Sequence, residues 1–129
     1  MSTRTDSLKV FLAEDSAPIR ERLHGLFARA RMDVVGEAAT PEGAIDQILA
    51  LHPDVVVLDV QLEGGSGLQV LKTVRSADPS VAFVVFSNNA TRIYRKRFLA
   101  EGAARFLDKS TELDQLPQAV ASAGVRTVH

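Results

Sequence analysis

Five short apolar runs alternate with five segments of helical periodicity along this chain. The runs cover residues 8–13, 34–38, 55–58, 81–86 and 104–107. Runs 55–58 and 81–86 are continuously apolar and mostly β-branched or aromatic, which is typical of strands buried on both faces. The pattern therefore predicts five strands, of which these two lie in the middle of a parallel sheet.

The segments between the runs carry apolar residues at helical spacing. In the first of them the apolar face is formed by Ile19, Leu23, Leu26, Phe27 and Ala30. Ser16 and Thr40 are expected to cap the first two helices, because a proline follows each of them within the first turn. The last helix is expected to begin near Asp114. Strand and helix alternating five times predicts a three-layer α/β domain with a parallel sheet.

Length and composition are those of one ordinary globular domain. The 129 residues are expected to form a single domain, 1–129, with its core at about 8–123 and flexible ends at 1–7 and 124–129. The 15 basic and 16 acidic side chains leave a formal net charge of −1, so no general attraction to nucleic acid is expected. Cysteine is absent, which excludes disulfides, thiol catalysis and thiolate metal sites.

The chain also has no segment that predicts a membrane protein. No apolar stretch approaches the roughly 18 residues that a membrane span requires, and residues 1–7 are polar. The cytoplasm is therefore the expected location, with no membrane partner. Since no effector domain follows the last helix, the chain is either a complete single-domain protein or part of a longer one, and the first is favoured.

Polar residues stand at the points where four of the apolar runs end. Glu14 and Asp15 follow the first run, Asp59 the third, Ser87 the fourth, and Asp108 and Lys109 the fifth. The carboxyl ends of parallel strands share one edge of the sheet, where α/β proteins place ligands and catalytic groups. We expect the three carboxylates of Glu14, Asp15 and Asp59, the hydroxyl of Ser87 and the ammonium of Lys109 to converge there. Each residue alone is more often a cap or a solvated charge, but five in the same register indicate a site.

The three carboxylates of this cluster repel one another, so the cluster requires a cation. Oxygen ligands without His or Cys are typical of Mg²⁺, with Mn²⁺ as the alternative. Mg²⁺ recruits phosphate oxygens, to which Lys109 offers a charge and Ser87 a hydrogen bond. Three glycines between residues 64 and 67 are expected to turn the chain sharply after Asp59 and to leave its carboxylate accessible.

The set of strand-end residues resembles the signature of receiver domains of two-component response regulators. That signature has an acidic pair after the first strand, Asp after the third, Ser or Thr after the fourth and Lys after the fifth. The resemblance covers about residues 8–123 and implies a flavodoxin-like fold with strand order 2-1-3-4-5. By position, Glu14, Asp15 and Asp59 resemble the Mg²⁺ ligands of the family, together with the backbone carbonyl of Gln61.

The same resemblance implies the roles of the other residues. Asp59 matches the carboxylate that accepts a phosphoryl group from a sensor histidine kinase or a histidine phosphotransfer protein. Ser87 and Lys109 match the pair that holds the phosphoryl oxygens, and Phe106 matches the switch aromatic that swings inward when Ser87 moves. Such a protein is regulatory: it catalyses its own phosphotransfer and dephosphorylation, and it signals through the surface of helix 4, strand 5 and helix 5.

Several positions depart from the usual pattern of the family. Ser110 stands where Pro usually follows the Lys, which favours a trans peptide bond before it. Asn88 stands where a small residue is usual, and its side chain is expected to narrow the approach to Asp59. Gln61 and Asn89 occupy the positions at which the family tunes the lifetime of the phosphoryl group. These residues are expected to change rates and to leave the reaction intact.

Basic residues are concentrated on the expected fourth helix. They are Arg92, Arg95, Lys96 and Arg97, with Arg105 nearby. Without aromatic interleaving or net positive charge, they do not predict direct nucleic-acid binding. The ordinary interpretation is a solvated helix face. The family resemblance implies instead that this face meets an acidic protein partner, whose identity is unknown, or forms a phosphorylation-dependent homodimer.

Three alternative interpretations make different demands on the sequence. A phosphohydrolase of the haloacid dehalogenase type needs its nucleophile after the first strand and a second Asp two residues later, whereas Gln61 follows Asp59 at that distance. A flavodoxin-like FMN-binding protein needs a phosphate loop after the first strand, where Glu14 and Asp15 would repel phosphate. A pseudo-receiver would keep the fold without phosphorylation, which the complete set of five residues disfavours.

Overall fold

The computed structural model describes residues 7–125, and five parallel strands form its main sheet. The strands are β1 (Lys9–Ala13), β2 (Asp33–Ala38), β3 (Val55–Leu58), β4 (Ala82–Ser87) and β5 (Arg105–Asp108). Their order across the sheet is β2-β1-β3-β4-β5, which confirms the predicted order 2-1-3-4-5. Flexible ends were predicted at 1–7 and 124–129, and of these, residues 1–6 and 126–129 lie outside the described residues.

Residues 7–125 contain five α-helices, of which four connect successive strands and the last follows β5. They are α1 (Ala17–Arg29), α2 (Pro41–Leu51), α3 (Gly67–Ala77), α4 (Arg92–Ala100) and α5 (Leu116–Val125). A 3₁₀ turn at Leu113–Gln115 leads into α5, close to the predicted start near Asp114. The helix continues to Val125, two residues past the expected end of the core. No helix in this part of the chain is long and apolar enough to cross a membrane.

Side-chain caps begin the first two helices where the sequence predicted them. The Ser16 hydroxyl accepts a hydrogen bond from the Ile19 N–H at 3.4 Å, and Thr40 accepts one from the Gly43 N–H at 3.1 Å. Both bonds satisfy amide groups that have no partner within the helix. The first cap also orders the short turn between β1 and α1, which carries the predicted acidic pair.

Apolar layers cover both faces of the sheet. Successive residues of a strand point to opposite faces, so Phe11 of β1 belongs to the apolar cluster that includes residues of α2, α3 and α4, while Leu12 belongs to the cluster on the other face with residues of α1 and α5. The four residues of β3 are fully buried or nearly so, as predicted for a central strand. With both faces covered, the carboxyl edge of the sheet is the place where polar side chains of several strands can meet.

Candidate functional site

The predicted site residues meet at the carboxyl edge of the sheet. Glu14 and Asp15 follow β1, Asp59 follows β3, Ser87 ends β4, and Lys109 follows β5. One carboxylate oxygen from each of Glu14, Asp15 and Asp59 lies within 4.8 Å of the other two. Asp15 is exposed, whereas Glu14 and Asp59 are only 2% and 8% exposed. The convergence predicted from the strand ends is therefore present in the fold.

The Lys109 ammonium joins two of these carboxylates. Its Nζ donates to Glu14 Oε1 at 2.7 Å and to Asp59 Oδ2 at 2.8 Å. The side chains of Lys109, Glu14 and Asp59 are 9%, 3% and 10% exposed. Charges that are this poorly hydrated depend on one another, because a lone ion at such a depth costs several kcal/mol to bury. Lys109 thus neutralises part of the acidic cluster.

The Asp59 carboxylate is held through both of its oxygens. Oδ1 accepts a hydrogen bond from the Ser87 hydroxyl at 2.6 Å and a longer one from the Gln61 N–H at 3.5 Å. Ser87 is fully buried, and its Oγ accepts a bond from the Asn89 N–H at 3.1 Å. Together with the Lys109 bond to Oδ2, these contacts fix the orientation of the carboxylate.

A pocket of about 280 Å³ opens onto Asp59. Asn88 and Asn89 line it from the end of β4, Gln61 lines it from the loop after β3, and all three are exposed. The carboxylate is therefore buried but reachable, as the glycines after it led us to expect. The effects of these three side chains on rates stay predictions.

The carboxylates alone form the group that could hold a metal ion. Glu14, Asp15 and Asp59 offer only oxygen atoms, and no His belongs to the cluster they form within the described residues. Hard oxygen ligands close to one another suit Mg²⁺ or Mn²⁺. The donor set therefore fits the predicted cation, while a contribution from the Gln61 carbonyl stays a prediction.

Burial raises the pKa of the Glu14 carboxyl. Desolvation is the largest cause, and the negative charge of Asp59 adds to it. Hydrogen bonds from Lys109 and from the Ser16 N–H, the latter at 3.0 Å, oppose the rise only in part. Burial by itself lowers the pKa of Lys109, but its bonds to Asp59 and Glu14 outweigh that effect and raise the pKa. Lys109 therefore stays charged, and the folded state carries an electrostatic cost at Glu14.

We compare the wild type with Glu14→Gln and expect the free energy of unfolding of the wild type to fall relative to that of the variant as pH rises. Gln keeps an acceptor for Lys109 and removes the charge. A carboxyl whose pKa is raised on folding favours the fold below its ordinary pKa, 4.5 here, and loses that contribution as pH rises through the raised value. Urea unfolding of both metal-free proteins from about pH 4 to about pH 7 measures the effect. A stability difference that stayed constant over this range would contradict the raised pKa.

The chain passes close to itself just after Asp59. A small hairpin, which the sequence did not predict, pairs Gln61–Leu62 with Gly65–Ser66, and Gly64 at its tip has a φ of 79°. A Cβ atom on Gly67 would fall on the carbonyl oxygen of Asp59, far inside contact distance. Gly67 is therefore needed for the position of the Asp59 backbone.

Gly67→Ala is expected to lower the free energy of unfolding by about 3 kcal/mol, because the new methyl group meets a backbone atom that cannot move aside. Gly25→Ala is the matched control. Gly25 lies inside α1, where a Cβ would come no closer than 3.6 Å to Arg29 Nη1. This second change should raise stability by up to about 1 kcal/mol. Equal stability of Gly67→Ala and the wild type in urea unfolding would contradict the close contact.

The turn after β5 explains the departure from the family at Ser110. The Asp108 carboxylate accepts bonds from the Ser110 N–H at 2.9 Å and from its hydroxyl at 2.6 Å. These bonds, the hydroxyl first, hold the pKa of Asp108 below its usual range. Pro could not donate the backbone bond. The Lys109–Ser110 bond is trans, as are all peptide bonds of the described residues, so the favoured geometry is confirmed.

Phe106 points inward beneath α4. It is 5% exposed, and its ring meets Phe98 edge-on with 6.0 Å between the ring centroids. The Arg95 guanidinium lies 5.2 Å from the centre of the Phe106 ring and donates to the Phe106 carbonyl at 3.0 Å and to the Ala90 carbonyl at 3.3 Å. The solvated face expected for the basic residues of the fourth helix is therefore wrong for Arg95, which packs against β5.

Comparison with known proteins agrees with this geometry. A family model described as the response regulator receiver domain matches residues 10–121. The DNA-binding transcriptional activator DevR/DosR of Mycobacterium tuberculosis is 30% identical over 118 residues, which cover 91% of this chain and 54% of that protein. The chemotaxis protein CheY of Thermotoga maritima is 24% identical over 112 residues, which cover 87% of this chain and 93% of that protein.

Solved structures give the same result. The signal receiver domain of NarL from Mycobacterium tuberculosis superimposes with a TM-score of 0.85 at 29% identity, over 93% of this chain and 98% of that domain. The chain spans about half the length, 54% and 55%, of the first two curated relatives that it matches. A shared fold, a shared strand order and a family match over most of the residues lead to one conclusion: this chain belongs to the family of response regulator receiver domains.

Proposed function

We propose that this protein is a phosphorylation-dependent switch whose phosphoryl acceptor is Asp59. The surroundings of the Asp59 carboxylate carry the proposal: the Ser87 hydroxyl at 2.6 Å, the Lys109 ammonium at 2.8 Å and an open pocket. Receiver domains work in two-component systems, so the donor is a sensor histidine kinase or a histidine phosphotransfer protein. Such systems place the protein in the cytoplasm.

In the proposed reaction an oxygen of Asp59 attacks phosphorus in line with the leaving group. The new O–P bond forms as the bond from phosphorus to the donor breaks, and the donor leaves with that electron pair. Ser87 donates a hydrogen bond from its hydroxyl to one phosphoryl oxygen, and Lys109 places its positive charge beside another. Attack by water on phosphorus later releases phosphate and restores the carboxylate. The protein thus acts on itself and is regulatory rather than an enzyme with an outside substrate.

Metal binding belongs to this proposal. Glu14, Asp15 and Asp59, with the Gln61 carbonyl, would hold Mg²⁺, and Mn²⁺ would fit the same oxygen ligands. When bound, the ion neutralises charge on the phosphoryl oxygens. Gln61, Asn88 and Asn89 line the route to Asp59 and set the rates of phosphorylation and hydrolysis.

Signal output is proposed at the surface of α4, β5 and α5, with Phe106 as the switch residue. Ser87 pairs with Asp108 across the sheet, and Val85 pairs with Phe106. A displacement of Ser87 therefore moves residues of β5 that are its direct neighbours. Arg95 carries the change to α4, because it holds the Phe106 carbonyl at 3.0 Å. The partner is an acidic protein or a second phosphorylated copy. Sedimentation of the phosphorylated protein separates these two.

The test is phosphorylation in solution. The protein is incubated with Mg²⁺ and acetyl phosphate and examined by mass spectrometry, where we expect one base-labile phosphoryl group. Because Asn88 is expected to slow a small donor, a phosphorylated histidine kinase is used as a second donor. Absence of the phosphoryl group with both donors would contradict the proposed function.

A further inference from the structure

An apolar groove lies between the beginning of α3 and the outer face of α4. Its volume is about 490 Å³, and its lining includes Leu68 of α3 and Ile93, Tyr94, Lys96, Arg97 and Ala100 of α4. Ile93 is 78% exposed and Tyr94 42%. Single exposed apolar residues are ordinary, but here several of them line one groove that is bordered by charge. The proposed phosphorylation chemistry uses none of these residues.

This groove is separate from the surface that faces β5 and α5. Successive residues of an α-helix are about 100° apart, so Ile93 and Arg95 point in directions about 200° apart. Arg95 reaches Phe106 of β5 and lies 3.7 Å from Glu112 in the loop before α5. Ile93 instead borders the groove beside Leu68. A partner could therefore occupy the groove without touching the Arg95 side of α4.

The border of the groove is positively charged. Lys96 and Arg97 are exposed, and Arg92 adds an exposed cation one turn before Lys96. Within residues 7–125, no acidic side chain forms an ion pair with Lys96, and Arg97 has only an exposed pair with Glu101 at 3.5 Å. Such a pair between neighbouring turns contributes about 0.5 kcal/mol or less, so Arg97 can exchange it for a stronger contact.

We propose that this groove binds an acidic amphipathic helix of a partner protein. Apolar side chains on one face of that helix cover Leu68, Ile93 and Tyr94, and its flanking carboxylates meet Lys96 and Arg97, which is the way amphipathic helices occupy apolar grooves. A nucleic-acid strand would satisfy the cations but would leave the apolar lining without a partner. Both features together favour a peptide that carries apolar and acidic residues.

Tyr94 makes occupancy of the groove directly measurable. It is the single tyrosine of the chain, and there is no tryptophan, so the tyrosine fluorescence of the protein arises at the groove. The probes are two synthetic helical peptides without Tyr or Trp, with the same leucines on one face and either glutamates or lysines beside them. The unphosphorylated protein should bind the glutamate peptide saturably and the lysine peptide at least about tenfold more weakly.

Two sets of substitutions connect the signal to the groove. Ile93→Ser should lower the affinity for the glutamate peptide by at least about tenfold, because an apolar contact is lost. The position is too exposed for the change to affect folding. The pair Lys96→Glu and Arg97→Glu should reverse the preference toward the lysine peptide. Arg22→Glu with Arg29→Glu makes the same change of charge on exposed positions of α1 and should bind as the wild type does.

Several outcomes would overturn the proposal. They are equal affinity for the two peptides, full affinity in Ile93→Ser, or no change in fluorescence at millimolar peptide. A change in Tyr94 fluorescence only with vesicles of anionic lipid would assign the groove to a membrane surface. A change that depended on protein concentration alone would assign it to a second copy of the chain. Since Asp59 is not phosphorylated in these measurements, none of the outcomes depends on the proposed phosphorylation.

A second, independent feature is the Arg20 side chain of α1, which is 19% exposed. Its Nη1 donates to the Glu14 carbonyl at 2.7 Å, and its Nε donates to Glu37 Oε2 on β2 at 3.0 Å. The other oxygen of Glu37 lies 2.6 Å from Nε2 of His24. These bonds, the one with His24 first, hold the pKa of Glu37 below its usual range, so Glu37 stays charged opposite Arg20.

Arg20 completes a clamp on the turn that carries the acidic pair. The Glu14 N–H donates to the Ala38 carbonyl at 3.0 Å, so β2 holds one side of Glu14 and Arg20 holds the other. We propose that Arg20 is a positioning residue that fixes the turn of Glu14 and Asp15 for a divalent cation. This inference rests on the metal site of the proposed function.

The test separates metal binding from stability. Arg20→Gln removes the charge and the two guanidinium nitrogens that donate these bonds, and Arg20→Lys keeps the charge but not the planar group that reaches two acceptors. Each should weaken Mn²⁺ binding, measured by electron paramagnetic resonance, by about tenfold, as is usual for residues that orient metal ligands. Arg22→Gln, on an exposed neighbouring position, should bind Mn²⁺ as the wild type does.

A destabilised control completes the design. Ile48→Val, in the core of α2, should lower the thermal midpoint without changing the Mn²⁺ affinity. Unchanged affinity in both Arg20 variants would overturn the role of Arg20 while leaving the metal site intact. If Ile48→Val lost affinity to the same extent, Arg20 would act only through stability. Absence of Mn²⁺ binding by the wild type would overturn the metal site itself, and the inference with it.

Discussion

Asp59→Asn is expected to reduce phosphoryl uptake by at least about a thousandfold with either donor, because an amide is not a nucleophile toward phosphorus. Asn has nearly the same shape and keeps an oxygen that can accept the Ser87 bond, which is 2.6 Å long in the wild type. The pocket should therefore persist while the reaction is lost. The measurement is the fraction of phosphorylated protein by mass spectrometry after incubation with acetyl phosphate or a phosphorylated kinase.

The matched control for this prediction is Asp108→Asn. Asp108 ends β5 at the same edge of the sheet, but its carboxylate is engaged with Ser110 at 2.9 Å and 2.6 Å. Asn can accept the same bonds, so this variant should be phosphorylated within a few-fold of the wild type. Persistent phosphorylation of Asp59→Asn would move the acceptor to another carboxylate, and peptide mapping would show whether Glu14 or Asp15 had taken its place.

Much of this site could be predicted from sequence because it follows from strand ends. The run at 55–58 is a strand with the same bounds, so Asp59 falls directly at the carboxyl edge. The strands β4 and β5 begin and end one residue later than expected, which makes Ser87 and Asp108 the last residues of their strands. A shift of one residue leaves both at the same edge. The convergence depends on topology, which tolerates such errors.

Contacts between distant elements could not be predicted in the same way. Arg20 and Arg22 look alike in sequence, yet Arg20 reaches Glu37, 17 residues away on β2, while Arg22 is exposed. The difference depends on how α1 packs on the sheet. Arg95 likewise could not be distinguished from its basic neighbours, because its partners on β5 come close only in the folded chain.

Backbone crowding is a further property that composition does not reveal. Three glycines after Asp59 indicated a sharp turn, but the structure requires glycine for a different reason at each position. Gly64 adopts a positive φ at the tip of the small hairpin, whereas Gly67 has no room for a side chain beside the Asp59 carbonyl. Only the second bears directly on the acceptor. The sequence therefore located the turn without showing which glycine the site depends on.

Lys109→Met is expected to lower the free energy of unfolding by about 3 kcal/mol at neutral pH in the absence of a divalent cation. Lys109 contacts Glu14 at 2.7 Å and Asp59 at 2.8 Å, so Met leaves two poorly hydrated carboxylates side by side. Loss of the Lys109 ammonium raises the pKa of the Glu14 carboxyl further, because that ammonium opposes the rise in the wild type. The deficit relative to wild type should therefore shrink as pH falls toward about 4, because protonation removes the repulsion. Urea unfolding at several pH values measures this change.

Two further variants decide whether the loss is electrostatic. Adding Glu14→Gln to Lys109→Met removes one of the unpaired charges and should recover part of the lost stability, so the two changes should not be additive. Lys72→Met, on an exposed position of α3, should change stability by about 0.5 kcal/mol or less. Mg²⁺ should stabilise Lys109→Met more than the wild type, since the ion then supplies the missing positive charge. A deficit independent of pH, of Glu14 and of Mg²⁺ would mean that Lys109 acts through packing alone, and its assignment as the counter-charge of the cluster would be wrong.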